Sequence, residues 1–259
     1  MLVVDMHLPP VGLGTMGIHD PVTVEAALDL GYRHLDTAQI YDNERVVGEG
    51  VAASPLPREE CTVATKLWID SLADDDVRPG TEASLDRLGL ESVDLLYVHR
   101  PRGDYDPEST LPALDAVREA GLTRQVGLSN FEPDQLRRAR DVLDAPIAAH
   151  QVEFHPYYGD RALLEDAQEY DYPLVAYSPL IGGDAFEDPV LTDVAEKHDT
   201  SPAAVSIAWL LAHENVVTIP KASSREHLRA NFEAQRLDLD GEDVARIDAI
   251  DRERELYPE

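Results

Sequence analysis

Four residues of this chain carry side chains able to move or steer a proton, and they recur at similar stations. Asp36 lies at the end of an apolar run, YRHLDT at 32–37, and Tyr41 follows five residues later. Lys66 lies at the end of CTVATKL (61–67), and His99 closes VDLLYVH (93–99). Lysine is scarce, with only Lys66, Lys197 and Lys221 in the chain, so each one draws attention. Tyrosine is a weak acid with a free pKa of about 10. A neighbouring ammonium favours the phenolate, so Lys66 beside Tyr41 is expected to lower that pKa and sharpen Tyr41 as a proton donor. A buried lysine keeps its charge only when paired, and Asp36 offers the partner. His99 can donate a hydrogen bond to a carbonyl and orient it beside Tyr41. Together the four form a proton-delivery site for a carbonyl that receives electrons. Singly, each has a plainer role: a loop aromatic, a cap, a core histidine, a lysine snorkelling beside Trp68.

Other apolar runs also end on polar groups. Ser129 and Asn130 end RQVGLSN, and Gln151 lies in AHQVEFH. Hydroxyl and amide groups do no acid–base work near neutrality but can grip a carboxamide. Tyr177 in AYSPL offers a flat face for stacking an aromatic ring. Lys221 precedes a helix start, a place suited to phosphate. A stacking face, amide clamps and a phosphate site point to a nicotinamide cofactor.

The elements that must position these residues follow one rhythm. Eight short β-branched runs (11–15, 32–37, 61–67, 93–99, 124–130, 149–155, 174–178 and 216–220) alternate with helical patterns. PVTVEAALDL follows Asp20 with Pro21 at its first position, and SPAAVSIAWLLAH has Ser201 as its cap and Pro202 next. Eight alternations predict an α/β fold, a (β/α)8 TIM barrel, whose consecutive strand ends ring one mouth. No linker or shift of composition divides the chain, so one domain is expected over 1–259, with a terminal helix over 240–255 packed on the barrel. GLGTMG at 12–17 matches a dinucleotide-binding G-x-G-x-x-G. Such a fingerprint should open directly into a helix, whereas IHDP intervenes, and the barrel rhythm continues unbroken to the eighth run.

Composition bounds the partners. Asp and Glu number 51 against 22 Lys and Arg, a formal charge of −29 spread along the chain. Nucleic acid and anionic membranes are poor partners for such a surface. No apolar run is long enough to span a membrane, the first residues do not resemble a secretory signal, and Cys61 is the only cysteine. A cytoplasmic protein is expected, without a cysteine-built metal site or an intramolecular disulfide. An evenly acidic surface repels itself in dilute buffer but is screened in molar salt. The pattern points to an extreme halophile of haloarchaeal type.

GLGT, YRHLDTAQIYDNE, TKLW, DLLYVHRP, VGLSNF, QVEFHPY, AYSPL and IPKASS occur in an order and spacing that closely resemble the aldo-keto reductases. The resemblance covers nearly the whole chain. It implies reduction of aldehydes or ketones by NADPH, with Tyr41 as general acid, Lys66 and Asp36 tuning it, and His99 orienting the substrate. It implies Ser129, Asn130 and Gln151 on the nicotinamide carboxamide, Tyr177 stacked on the ring, and Ser178 and Leu180 near the pyrophosphate. Lys221 would meet the 2′-phosphate, with Ser223 and His227 in the same cofactor-binding segment and Asn231 at the adenine. Three positions depart from the family's pattern. His227 stands where an arginine is common, Ala222 where a hydroxyl residue is common, and Ala230 where a glutamate is frequent. These departures weaken the grip on a 2′-phosphate and make NADH use credible beside NADPH. Trp68 is an expected wall of the substrate pocket, while Arg100 replaces a common tryptophan. The short loops after the fourth and seventh runs and the brief C-terminal end imply an open mouth and small or varied substrates. A monomer is the family-level expectation. Two other functions fit parts of the pattern: a cofactor-binding, redox-sensing regulatory subunit with little turnover, and a metal-dependent hydrolase using His99, Glu153 and His155.

Overall fold

A computed structural model describes residues 7–258. Its strands are β1 (Leu13–Gly14), β2 (His34–Asp36), β3 (Thr62–Leu67), β4 (Val93–Val98), β5 (Thr123–Ser129), β6 (Ile147–Glu153), β7 (Leu174–Tyr177) and β8 (Val216–Thr218). They pair in parallel in the order β1 to β8. The sheet closes on itself where Gly12 N donates to Thr218 O at 2.8 Å and Thr218 N to Pro10 O at 2.9 Å. Closure demands glycine at position 14, because a Cβ there would lie 2.5 Å from the Ile219 carbonyl oxygen. The G-x-G-x-x-G run is therefore barrel seam, and the first helix waits until Pro21.

The helices are α1 (Pro21–Leu30), α2 (Glu44–Ala53), α3 (Asp74–Leu88), α4 (Pro107–Glu119), α5 (Pro133–Val142), α6 (Arg161–Glu169), α7 (Pro189–Lys197), α8 (Pro202–Leu211), α9 (Arg225–Glu233) and α10 (Gly241–Asp248). Five of them, α1, α4, α5, α7 and α8, start with an acid or serine cap followed by proline. Asp20, Asp106, Asp188 and Ser201 each accept a backbone N–H of the first turn. Proline at the first position costs no hydrogen bond and presets its φ. Three aspartates, 74–76, fill the first turn of α3, where the helix dipole favours negative charge. The helices shield the barrel through a large apolar shell, and α8 is buried almost throughout.

Two expectations need correction. The stretch between β7 and β8 holds an additional helix, α7, before α8. The terminal helix expected over 240–255 ends at Asp248, and residues 251–258 continue without helix. Several strands are also shorter than their apolar runs, β1 most of all.

Inside the barrel a second apolar cluster includes Ala64, Leu95, Tyr97, Ala149, Val175 and Val217, with Leu8 packed against it. Side chains alternate faces along a strand. Two residues on from Ala64, Ala149 and Val175 come Lys66, Gln151 and Tyr177, on the same inward face at the C-terminal strand ends. The packed interior therefore forms the floor of the mouth.

Candidate active site

Asp36 and Lys66 lie on neighbouring strands and form a fully buried ion pair. Lys66 Nζ also donates to Thr37 O at 2.9 Å, and Gln151 Nε2 donates to the second Asp36 oxygen at 2.7 Å. Burial alone would push the Lys66 pKa down, but Asp36 and Tyr41 outweigh it, and the net direction is up. Lys66 is held as an ammonium beneath the pocket.

Tyr41 sits on a short 3-10 turn, Gln39–Tyr41, with its ring centre 5.0 Å from Lys66 Nζ. Polar side chains lock this turn. Gln39 accepts from Trp68 N at 2.7 Å and donates to Gly80 O at 3.0 Å. Asn43 accepts from the Thr37 hydroxyl at 2.8 Å and donates to Thr15 O at 2.7 Å. The Tyr41 pKa departs from expectation. Burial pushes it up by more than Lys66 pulls it down, so the phenol ends above its ordinary value. The ammonium offsets the burial without overcoming it.

His99 follows β4 directly. Its ring stands 5.8 Å from that of Tyr41 and 5.0 Å from that of Trp68, edge-on to both. Burial, with Lys66 and Arg100 assisting, lowers its pKa to about 2. His99 is thus a neutral imidazole with one N–H to donate, and it is no source of protons near neutrality.

Across the mouth, Asn130 takes a left-handed backbone at φ 60°. Its amide donates to His99 O at 2.9 Å and to Ser129 Oγ at 3.1 Å, and its oxygen accepts from the Tyr177 hydroxyl at 2.9 Å. The residues expected to clamp a carboxamide thus brace one another. With Gln151 Nε2 engaged by Asp36, the Gln151 carbonyl oxygen and the Ser129 O–H remain to meet an incoming amide.

A pocket of about 460 Å³ joins these groups. Asp36, Tyr41, Trp68, His99, Arg100, Asn130, Gln151, Tyr177, Ser178, Leu180 and Lys221 line it, and Lys66 and Ser129 lie buried beside it. Ser223, His227 and Asn231 are not in its lining; the first two are exposed, and Asn231 is buried on α9. Ser178 and the pair Gly182 and Gly183 carry positive φ, which turns the chain tightly around this end of the pocket. The residues present fit a nicotinamide dinucleotide: Tyr177 gives a ring face, the β5–β6 ends give amide partners, and Lys221 gives a cation.

One lining residue escaped sequence reasoning. Tyr257 enters the pocket, its ring 5.9 Å from that of Tyr177 and edge-on. The C-terminal segment that carries it crosses the barrel mouth as a strap, so the mouth is less open than its short loops imply. Leu256 N and Tyr257 N donate to the two oxygens of buried Glu153 at 2.6 and 3.0 Å. His155 Nδ1 accepts from Tyr157 N, which leaves Nε2–H to donate to Glu153 at 2.9 Å. Arg252 and Arg254 both pair with Asp184 in the loop after β7. Glu153 and His155 therefore serve the strap rather than a metal with His99, and no three His, Cys, Asp or Glu side chains cluster as ligands among the described residues.

A family model described as the Aldo/keto reductase family matches residues 10–252. Methylglyoxal reductase DkgB of Escherichia coli O157:H7 is 39% identical over 261 residues, covering 98% of this chain and 97% of its own. The crystal structure of MGS-M4, an aldo-keto reductase enzyme from a Medee basin deep-sea metagenome library, superposes with a TM-score of 0.93 at 32% identity, covering 98% of this chain and 96% of that one. That of a candidate 2,5-diketo-D-gluconic acid reductase B gives 0.92 at 34% identity, covering 97% and 91%.

Proposed function

This chain belongs to the aldo/keto reductase family and is an NAD(P)H-dependent carbonyl reductase; we propose that Tyr41, Lys66, Asp36 and His99 carry the reaction on a small aldehyde or ketone. The observation behind this reading is the meeting of a buried Asp36–Lys66 pair, the Tyr41 phenol and a neutral His99 in one pocket. When bound, the reduced nicotinamide supplies the hydride that the carbonyl carbon receives. His99 donates its N–H to the carbonyl oxygen and sets its direction. Tyr41 passes its phenolic proton to that oxygen as negative charge develops there. Lys66 steadies the phenolate left behind, and Asp36 holds Lys66 charged in a site where an unpaired ammonium would be costly. Trp68 and Arg100 wall the substrate side. Ser129, Asn130 and Gln151 receive the carboxamide, with Tyr177 beneath the ring and Ser178 and Leu180 along the pyrophosphate. The name of the DkgB relative supports α-dicarbonyl compounds such as methylglyoxal among the substrates.

NADPH is the preferred cofactor on this reading, through Lys221, with Ser223, His227 and Asn231 completing the distal end and NADH usable beside it. Arg225, the nearby cation, pairs with Asp29 at the surface. We read the protein as one barrel domain and a monomer, and its acidic surface as that of a halophile's cytoplasmic enzyme. Among the described residues no helix is long and apolar enough to cross a membrane. The test is the loss of NADPH or NADH absorbance with an aromatic aldehyde, in wild type and Tyr41→Phe. Tyr41→Phe should lower turnover by about a thousandfold while leaving cofactor binding, followed by tryptophan quenching, near normal. Retention of most activity would remove Tyr41 as the acid. Normal cofactor binding with no aldehyde reduced by the wild type would favour the regulatory subunit instead.

A further inference from the structure

The floor of the barrel holds a polar group that the reaction, as described, does not use. Tyr97 lies on β4 beside Lys66 of β3 and Gly127 of β5, and its side chain belongs to the apolar cluster inside the barrel. Room for its ring is built into the neighbouring strand, because a Cβ on Gly127 would lie 2.5 Å from Tyr97 Cε1. Two phenols thus flank the Lys66 ammonium, whose Nζ is 5.0 Å from the centre of the Tyr41 ring and 6.0 Å from that of Tyr97. Tyr41 faces the pocket, whereas Tyr97 is fully buried. No protein group among the described residues completes a hydrogen bond with the Tyr97 hydroxyl. A buried hydroxyl left unpaired is destabilising. Phenylalanine would fill the same space without that cost, so packing does not account for the hydroxyl.

Its surroundings show what it stands beside. Burial pushes the Tyr97 phenol well above its ordinary pKa, Asp36 adds to the rise, and the Gln151 amide pulls the other way. The hydroxyl therefore lies by the contact in which Gln151 Nε2 donates to Asp36 at 2.7 Å. That contact uses one N–H of the Gln151 amide and leaves a second N–H and the carbonyl oxygen. An amide that accepts a hydrogen bond at its oxygen becomes a stronger donor at its nitrogen. We propose that Tyr97 is a positioning residue for the cofactor, its hydroxyl taking the second N–H of Gln151 when the Gln151 oxygen accepts the nicotinamide carboxamide. The inference rests on the reading of Gln151 as a carboxamide partner and adds the residue that braces it from below. The hydroxyl is unpaired in the free protein and paired in the complex, so its benefit is confined to binding.

Titration calorimetry with NADPH and NADH, and with 2′-phospho-ADP-ribose and ADP-ribose as the matching probes that lack the nicotinamide, gives Kd for wild type, Tyr97→Phe and Gln151→Met. Tyr97→Phe should bind the dinucleotides about three- to tenfold more weakly, bind the probes as the wild type does, and melt no lower than the wild type. In a Gln151→Met background the same change should weaken binding no further, because the two residues act as one unit. Unchanged dinucleotide affinity in Tyr97→Phe overturns the proposal. Equal losses for dinucleotide and probe, or a lower melting temperature, also overturn it, since either makes the hydroxyl part of the fold rather than of the site. Weak binding in Gln151→Met with normal binding in Tyr97→Phe rejects the role of Tyr97 alone. Normal binding in Gln151→Met rejects the carboxamide reading beneath it.

Discussion

At the scale of single residues, the site works by deciding which groups are charged. Lys66 is cationic because Asp36 and Tyr41 outweigh its burial, His99 is neutral because burial and two cations exclude its proton, and Tyr41 stays protonated because burial wins over Lys66. The proposed reaction uses these three states. The turnover number for reduction should therefore be flat between about pH 5 and 8, the range in which an unperturbed histidine would titrate. An inflection there that disappears in His99→Gln would contradict a neutral His99. In the proposed mechanism the reverse reaction, alcohol oxidation, uses the Tyr41 phenolate and should rise with pH. Lys66→Met removes the pull on the phenol, so reduction should fall about a hundredfold or more and oxidation should shift to higher pH. The variant also leaves Asp36 buried without its cation, which is destabilising by about 3–5 kcal/mol. The double variant Asp36→Asn, Lys66→Met should regain much of that stability but not the activity. Recovery of both would make the pair structural. The pairing of these residues was legible in the sequence, because a carboxylate and a lysine ending adjacent strands must meet. The direction of the Tyr41 shift was not, because it depends on how much water reaches the phenol.

Among the elements, caps and rhythm were legible where local chemistry dictates them. Asp20–Pro21 and Ser201–Pro202 open helices as their residue types predict. The same signal, Asp188–Pro189, opens α7, although the glycine-rich residues before it read as loop. The C-terminal strap has no comparable signal. Its anchors lie far away in sequence: Glu153 is about a hundred residues from Leu256 and Tyr257, and Asp184 about seventy from Arg252 and Arg254. Glu153 is suited to its task because an ionised carboxylate accepts on both oxygens, where it meets two backbone N–H groups and the His155 N–H. Glu153→Gln places an amide N–H against one of these donors. The strap should loosen, raising KM for an aromatic aldehyde about three- to tenfold, and cleavage near residue 254 by trypsin should quicken. An unchanged KM with unchanged cleavage would show that the strap is held elsewhere, first by Asp184.

The whole molecule carries a net charge of −29, and among the described residues several ion pairs are exposed arginines on exposed aspartate or glutamate. Such pairs contribute little each, so salt has little to take away by screening them. Screening the repulsion among the remaining acids has more to give. Raising KCl from about 0.1 M to roughly 2–3 M should raise the melting temperature by about 10 °C or more. A melting point that is level or falls with salt would mean that the acids are spaced widely enough not to oppose one another.

The sequence by itself determined the barrel, its eight-fold alternation and the four polar residues that meet at its mouth, because the period of apolar residues fixes element type and parallel strands bring their C-terminal ends to one mouth. It also determined the charge of the surface, which is a sum over residues. Only the tertiary structure decided the protonation of Tyr41 and His99, the diversion of the Gln151 amide to Asp36, and the entry of Tyr257 into the pocket. Each of these depends on distance and burial between parts of the chain that are far apart in sequence, and a linear order of residues does not record those quantities.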